Sequence, residues 1–362
     1  MKQYDYTGKV VFIGIDVHKK TYSCVAICEK TVIKRDTMPA SPEQLLRYLK
    51  NNFSEASEIH TAYEAGFSGF HLHRYLVDQG IKNIVVHPGS IEIAPRNRVK
   101  TDKRDALKIA TQLSAGRLRC VFIPEEHKEE MRAVTRLRTA ILRMRHKTGA
   151  QFKALLFTKG LIEMEDDKKV SPKWLSRKMK EVKELGYSND FYYCVSLYAE
   201  QWLSLNDQIK AIDNKLGVQA NQEKGLQILY ESVPGIGPIH GRQLANELGD
   251  MTQFKNEKNF YSYLGLTPTE HSSGEHTRQG HITRQGKSML RHIFVEAAWT
   301  AIMKDPSLKE VFDRLAAKRG KRRAIVGVAR RLAGRVRSCI LTGVLYEIKP
   351  TKEACSLHKK VA

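Results

Sequence analysis

The chain has 362 residues, 41% of them hydrophobic, with 61 Lys and Arg against 39 Asp and Glu, a formal net charge of +22. That apolar content excludes a disordered chain and suits two or three folded domains, and no apolar run is long enough to span a bilayer. So large a positive charge points to a polyanion as partner, because neutralising phosphates releases their counterions. The N-terminal MKQYDYTGKVVFIG lacks the apolar stretch and cleavage site of a secretory signal, so a soluble, cytoplasmic protein without a membrane partner is expected. Six cysteines are scattered with no CxxC pair, which argues against a zinc site or a disulfide framework and for reduced, mostly buried thiols.

In chain order, KVVFIGIDV, TYSCVAICEK and TVIKRDTMP read as three strands, being short apolar runs rich in β-branched residues with polar joints. SPEQLLRYLKNNF reads as a helix with Ser41 as its cap. EIHTAYEA is a strand ending near Glu64, GFHLHRYLVDQG a helix stopped by Gly80, and NIVVHPG a further strand. This β-β-β-α-β-α-β order predicts a mixed sheet covered by helices. From about 126 to 230 apolar residues recur at helical spacing amid dense positive charge, as expected for a long helical pair or coiled coil with a break in EDDKKVSPKWLS. From 231 a second compact region, punctuated by Gly and Pro, leads into KRGKRRAIVGVARRLAGRVR at 318–337, which holds nine basic residues and no acid. The expected fold class is α/β plus α, with boundaries at 1–125, 126–230, 231–345 and a tail at 346–362.

Four carboxylates stand out. Asp16 ends the first strand and Glu64 a later strand of the same sheet, while Asp102 and Asp105 in KTDKRDALKIA sit three apart on one face of a helix start. Brought to one sheet edge, four like charges would repel, and a divalent cation would remove that penalty; oxygen-only ligands suit Mg²⁺ or Mn²⁺. Arg96, Arg98, Lys100, Lys103 and Arg104 flank the last two acids, as a metal-dependent enzyme acting on nucleic acid requires. Plainer roles remain open: Asp16 as a turn residue, Asp102 as a helix cap and Asp105 as a first-turn acid. Sugar kinases and actin-like ATPases also begin with a strand and GID, but their phosphate hairpin carries glycine and VHKKTYS does not.

The set GIDVHK, AYEAGFSG, KTDKRDA, PGIGP, YLGLTP and SSG…GHITRQGKSMLR resembles the DEDD transposases of bacterial insertion sequences, the insertion sequence one-ten type, which are bridge-RNA-guided recombinases. The resemblance covers almost the whole chain. It implies an N-terminal RuvC-like domain of ribonuclease-H fold, a helical coiled-coil linker and a mainly helical C-terminal transposase domain with a catalytic serine. It puts the four acids, as catalytic and metal-holding residues, on Asp16, Glu64, Asp102 and Asp105, and the serine on Ser273, with the adjacent Ser272 as rival. It further implies a phosphoserine–DNA intermediate, donor and target DNA, a structured guide RNA, a homodimer or homotetramer whose acids and serine come from different protomers, and a bacterial, nucleoid-associated setting. The stretch between Asp105 and Ser273 is long for the pattern, so extra helical structure is expected around 160–200.

Other residues read as nucleic-acid contacts. VPGIGPIHGRQLANELGD resembles a helix-hairpin-helix, in which the turn at Gly235 and Gly237 would offer backbone N–H groups to a phosphate; a plain tight helix connection reads equally well. Arg284, Lys287 and Arg291 at i, i+3 and i+7 would line one helical face, and Arg322 and Arg323 would sit on the polar side of an amphipathic helix in 318–337. Tyr63, Phe67, Phe70, Tyr261 and Tyr263 read as core. His18 and His281, beside the motifs, read as structural or as proton shuttles. Two alternatives stand beside the recombinase: a RuvC-like nuclease activating water, and a non-catalytic nucleic-acid-binding protein.

Overall fold

The computed structural model describes residues 4–91, 102–162, 169–273 and 276–348, without the side chains of Lys103 and of residues 271–279. The chain divides into two compact units, Met1–Pro124 and Glu125–Ala362.

In the first unit, β1 (Val10–Val17), β2 (Thr21–Cys28) and β3 (Thr31–Pro39) form an antiparallel meander. Its second turn is two residues, Glu29 and Lys30, both with positive φ (46° and 66°), the geometry whose twist matches that of the flanking strands. Ser41 then caps α1 (Pro42–Asn52), its hydroxyl accepting from the Gln44 N–H as expected. Next come β4 (Glu58–Glu64), α2 (His71–Asp78), β5 (Lys82–Val86) and α3 (Asp102–Ser114). β4 runs parallel to β1, and β5 parallel to β4, giving the order β3-β2-β1-β4-β5. Each face of the sheet has its own cover. Ile13, Ile15, Tyr63 and Val85 pack with Leu45 and Leu49 of α1 and Leu72 and Leu76 of α2. On the other face Val25, Ile27, Ala62 and Val86 pack against Ala106, Ile109 and Ala110 of α3.

The second unit is mostly helical. α4 (Glu126–Phe157) and α6 (Asn189–Gln222) lie against each other through Ile141, Leu205 and Ile209, with Arg138 paired to Asp213. α5 (Pro172–Glu184), capped by Ser171, closes one end with Trp174 and Leu175 against Phe152, Val195 and Trp202. The extra helical structure expected around 160–200 is therefore α5 and the start of α6. α7 (Lys224–Glu231), α8 (Pro238–Leu248), α9 (Glu257–Leu264), the hairpin of β6 (Pro268–Ser273) and β7 (His276–Ile282), α10 (Ser288–Lys304), α11 (Pro306–Arg319) and α12 (Lys321–Thr342) follow. Their core gathers Tyr230, Leu244, Phe260, Phe294, Ala298 and Leu332. No described helix is long and apolar enough to cross a membrane.

Three expectations need correcting. The 318–337 segment is not one helix: Gly320, at φ 76°, ends α11 and α12 starts at Lys321. Phe67 is 71% exposed and not core. Of the five described cysteines only Cys24 and Cys28 are buried, while Cys120 and Cys194 are exposed.

The joint of α10, α11 and α12 is polar. The fully buried Asp305 caps α11 through the Leu308 N–H and receives Arg335 Nη1 of α12 and the Tyr346 hydroxyl, each at 2.7 Å. Burial alone would raise the Asp305 pKa, but hydrogen bonds from Ser307, Tyr346 and the Leu308 N–H and the charge of Arg335 outweigh it and hold the carboxyl below its usual value. A depressed folded pKa means the ion pair stabilises the fold above the unfolded carboxylate value of about 3.9, and that this contribution is lost as pH falls through the folded value. Asp305→Asn should lower unfolding free energy by about 3 kcal/mol in urea titrations at neutral pH, because Arg335 is left without its anion. The difference from wild type should shrink in acid.

Candidate active site

The acids are assembled by register. β1 and β4 pair in parallel with Ile15 opposite Tyr63, so Asp16 and Glu64 come next on adjacent strands at the same edge. Ile15 and Tyr63 face α1 and α2. One residue further, strand alternation turns Asp16 and Glu64 to the α3 side. Asp102 and Asp105 occupy the first turn of α3, where the helix dipole favours negative charge. All four thus share one face and one edge of the sheet.

Gly14 sets how closely α3 sits. A Cβ built there would lie 2.1 Å from the Ala106 carbonyl oxygen and 2.4 Å from the Ala110 nitrogen. Only a glycine lets the helix backbone press on β1, with Ala106 and Ala110 keeping its own surface flat. This contact brings the α3 acids over Asp16. The sequence signal was available, a glycine two residues before Asp16 and small residues four apart in α3, but it reads as a contact only once the pairing of α3 with β1 is known.

His18 Nε2 lies 3.1 Å from Asp16 Oδ2 and 3.3 Å from Asp102 Oδ1, bridging the two carboxylates. Asp16, His18 and Asp102 offer ligand atoms within 4.8 Å of one another. Asp105 Oδ1 accepts from Lys108 Nζ at 2.8 Å. The Asp16 pKa is raised, chiefly by burial; His18 acts against this through its charge and hydrogen bond, and the charges of Asp102 and Asp105 add smaller upward pushes. The donors at this edge are mainly carboxylate oxygens, which fits a hard divalent cation. Glu64 is exposed at the strand end.

The basic surroundings are only partly described. Arg104 is exposed on α3, and Lys19 and Lys20 are exposed at the β1–β2 turn. Arg96, Arg98 and Lys100 lie outside the described residues, as does the side chain of Lys103.

In the second unit Ser273 is the last residue of β6, its Cα paired with that of His276, and Ser272 is paired with Thr277. Gly235 (φ 88°) and Gly237 lie between α7 and α8. Gly235 has a packing role, since a Cβ there would come 2.6 Å from the Ala297 carbonyl oxygen, whereas Gly237 faces open space. Arg284, Lys287 and Arg291 do not form a helical row. The Lys287 and Arg284 N–H groups bond to the carbonyls of Tyr263 and Gly265. Gly286 packs so closely that a Cβ would meet Tyr263 O at 2.3 Å. This pins the stretch to the end of α9, leaves Arg284 left-handed at φ 56° and delays α10 to Ser288. Arg291 donates to the Leu264 carbonyl at 2.9 Å. Arg322 and Arg323 are exposed in the first turn of α12, where the helix dipole disfavours cations.

Two family models match the chain. One, described as the Transposase IS116/IS110/IS902 family, matches residues 228–313, a span that includes Ser273. The other, described as a transposase, of the DEDD type associated with IS110, matches residues 13–158, a span that includes the four acids. The putative transposase y4qE of Sinorhizobium fredii is 29% identical over 293 residues, 80% of this chain and 71% of that protein. The transposase for insertion sequence element IS1533 of Leptospira borgpetersenii is 34% identical over 134 residues, 36% of this chain and 39% of the other. The transposase for insertion sequence element IS1111A of Coxiella burnetii is 22% identical over 334 residues, 90% of this chain and 88% of the other.

Gly14→Ala should separate α3 from β1 and destabilise the first unit by about 2 kcal/mol or more, since backbone cannot give way as a side chain would. Hydrogen exchange should show it as lost protection in α3. Asp16→Asn should have the opposite sign. A raised folded pKa means that ionising Asp16 opposes folding once pH exceeds the unfolded value. At neutral pH with EDTA the variant should therefore melt above wild type, with the difference vanishing in acid.

Proposed function

The chain belongs to the IS116/IS110/IS902 family of transposases, and on that premise we propose that it cuts and exchanges DNA strands through a phosphoserine intermediate at Ser273, assisted by Asp16, Glu64, Asp102 and Asp105. The observation that carries this reading is the meeting of Asp16 from a strand end and Asp102 from a helix start around His18, with Glu64 at the end of the neighbouring strand and Asp105 in the same helical turn. We read the five-stranded sheet as the RuvC-like ribonuclease-H fold, whose central parallel pair β1 and β4 would carry the first two acids.

Asp16, Glu64, Asp102 and Asp105 would hold Mg²⁺ or Mn²⁺, which when bound would neutralise the carboxylates and draw charge from a scissile phosphate. The Ser273 oxygen attacks the phosphorus. A Ser–O–P bond forms, the P–O bond to the leaving strand breaks, and the hydroxyl proton ends on the leaving oxygen. The ester conserves the phosphodiester bond energy until the hydroxyl of an incoming strand reverses the step. Exposed basic residues, Arg104 on α3 and Arg322 and Arg323 on α12, would hold the DNA backbone. A structured guide RNA would choose the sites, and a homodimer or homotetramer would join the acids of one protomer to the serine of another. A water-using nuclease is the competing reading, favoured by the position of all four acids within the one unit Met1–Pro124, which would leave the serine of the other unit unneeded.

Covalent trapping separates the two. Wild type incubated with its element's RNA, Mg²⁺ and labelled donor and target DNA should retain label after denaturation. Ser273→Ala should lower adduct at least about a thousandfold, Asp102→Ala should lower cleavage, and Ser272→Ala should keep the adduct. Cleavage without adduct, together with full activity of Ser273→Ala, would leave the water-using nuclease.

A further inference from the structure

α11 and α12 form an antiparallel pair with α9 crossing one side, and between them runs a groove of about 660 Å³. Along α12 the residues facing this groove recur at helical spacing, Gly327, Arg330, Arg331 and Gly334, while Ile325, Val328, Leu332 and Val336 face the core. α11 adds Arg314 opposite.

The two glycines set the groove's shape. At Gly334 a Cβ would come 2.3 Å from the Tyr261 hydroxyl oxygen, and at Gly327 2.8 Å from Leu315 Cδ1. The Arg330 guanidinium lies over the Tyr261 ring at 4.6 Å, which fixes its plane while leaving its edge N–H groups to other acceptors. Among the described residues none of Arg314, Arg330 and Arg331 is ion-paired. Glu257 is the one acid lining the groove, and it accepts the Tyr261 hydroxyl at 2.9 Å. Arg335, which also borders it, is taken by Asp305.

Three guanidinium groups from two helices, with no ion pair to any of them among the described residues and a single acid in the lining, are arranged for an anion. Arginine's fork of N–H donors matches phosphate oxygens. The groove is larger than one phosphate needs. It has little with which to read bases, because the Tyr261 ring is buried beneath Arg330. We propose that this groove holds the phosphodiester backbone of a nucleic-acid strand, contacted by Arg314, Arg330 and Arg331 without regard to sequence. This rests on the reading that the chain acts on nucleic acid, and adds a site outside the acidic edge and the serine hairpin.

The test is fluorescence anisotropy with fluorescein-labelled DNA and RNA oligonucleotides over a salt series. It compares the full chain with Arg314→Gln, Arg331→Gln, the double variant and Lys304→Gln, an exposed lysine outside the groove. Both arginines are exposed, so thermal midpoints should stay near wild type. Each arginine variant should weaken binding several-fold and lower the salt slope by about one. The double variant should lose about tenfold or more, and Lys304→Gln less than about twofold. Loss confined to DNA or to RNA supports the groove and names its strand. A double variant that binds both like wild type overturns the groove alone, whereas wild type that binds neither overturns the underlying reading as well.

Discussion

The first unit depends on one close backbone approach, α3 against β1 at Gly14. Sheet pairing alone delivers Asp16 and Glu64 to one edge. It cannot deliver Asp102 and Asp105, which are far along the chain and reach that edge only because a glycine in the strand and Ala106 and Ala110 in the helix remove the side chains that would hold the two backbones apart. The same contact bears on the electrostatics of the site. Pressing α3 onto β1 helps to bury Asp16, and that burial is the main reason its pKa is raised, with the two acids of the helix adding to it.

The second unit solves a different problem, joining long helices to a compact core. It does so with buried polar groups placed where helices meet. Arg136 reaches the buried Glu247, Asn246 bonds to Thr135 and Gln219, and Arg242 pairs with Glu223, linking α4, α6 and α8. Asp305 does the same for α11 and α12. Such joints fix orientation more than they add stability, because each charge must be desolvated first. Rigidity here keeps the arginines of α11 and α12 facing one another.

The strands and α1 to α3 were legible because alternation, the Ser41 cap and Gly80 act locally. The places of the four acids were legible too, since Asp16 and Glu64 lie at strand ends and Asp102 and Asp105 begin a helix. What the residues alone did not show is tertiary. Arg284, Lys287 and Arg291 have helical spacing, but glycine contacts with α9 hold the first two outside the helix. Arg319 and Lys321 flank a glycine that local charge pattern could not mark as a break. Gly235 stands in a motif suggestive of phosphate binding, and the sequence did not show that its packing against Ala297 also requires a glycine.

The dependence of the acidic edge on α3 also orders events during synthesis. A growing chain that has made β1 to β5 carries Asp16 and Glu64 on a nearly complete sheet, but the face meant for α3 is still bare and half the carboxylates are missing. The four acids share one edge only when the helix with the two small residues lies against the glycine of the first strand. A nascent or truncated product ending before Asp102 would hold Asp16 and Glu64 without the two acids of α3.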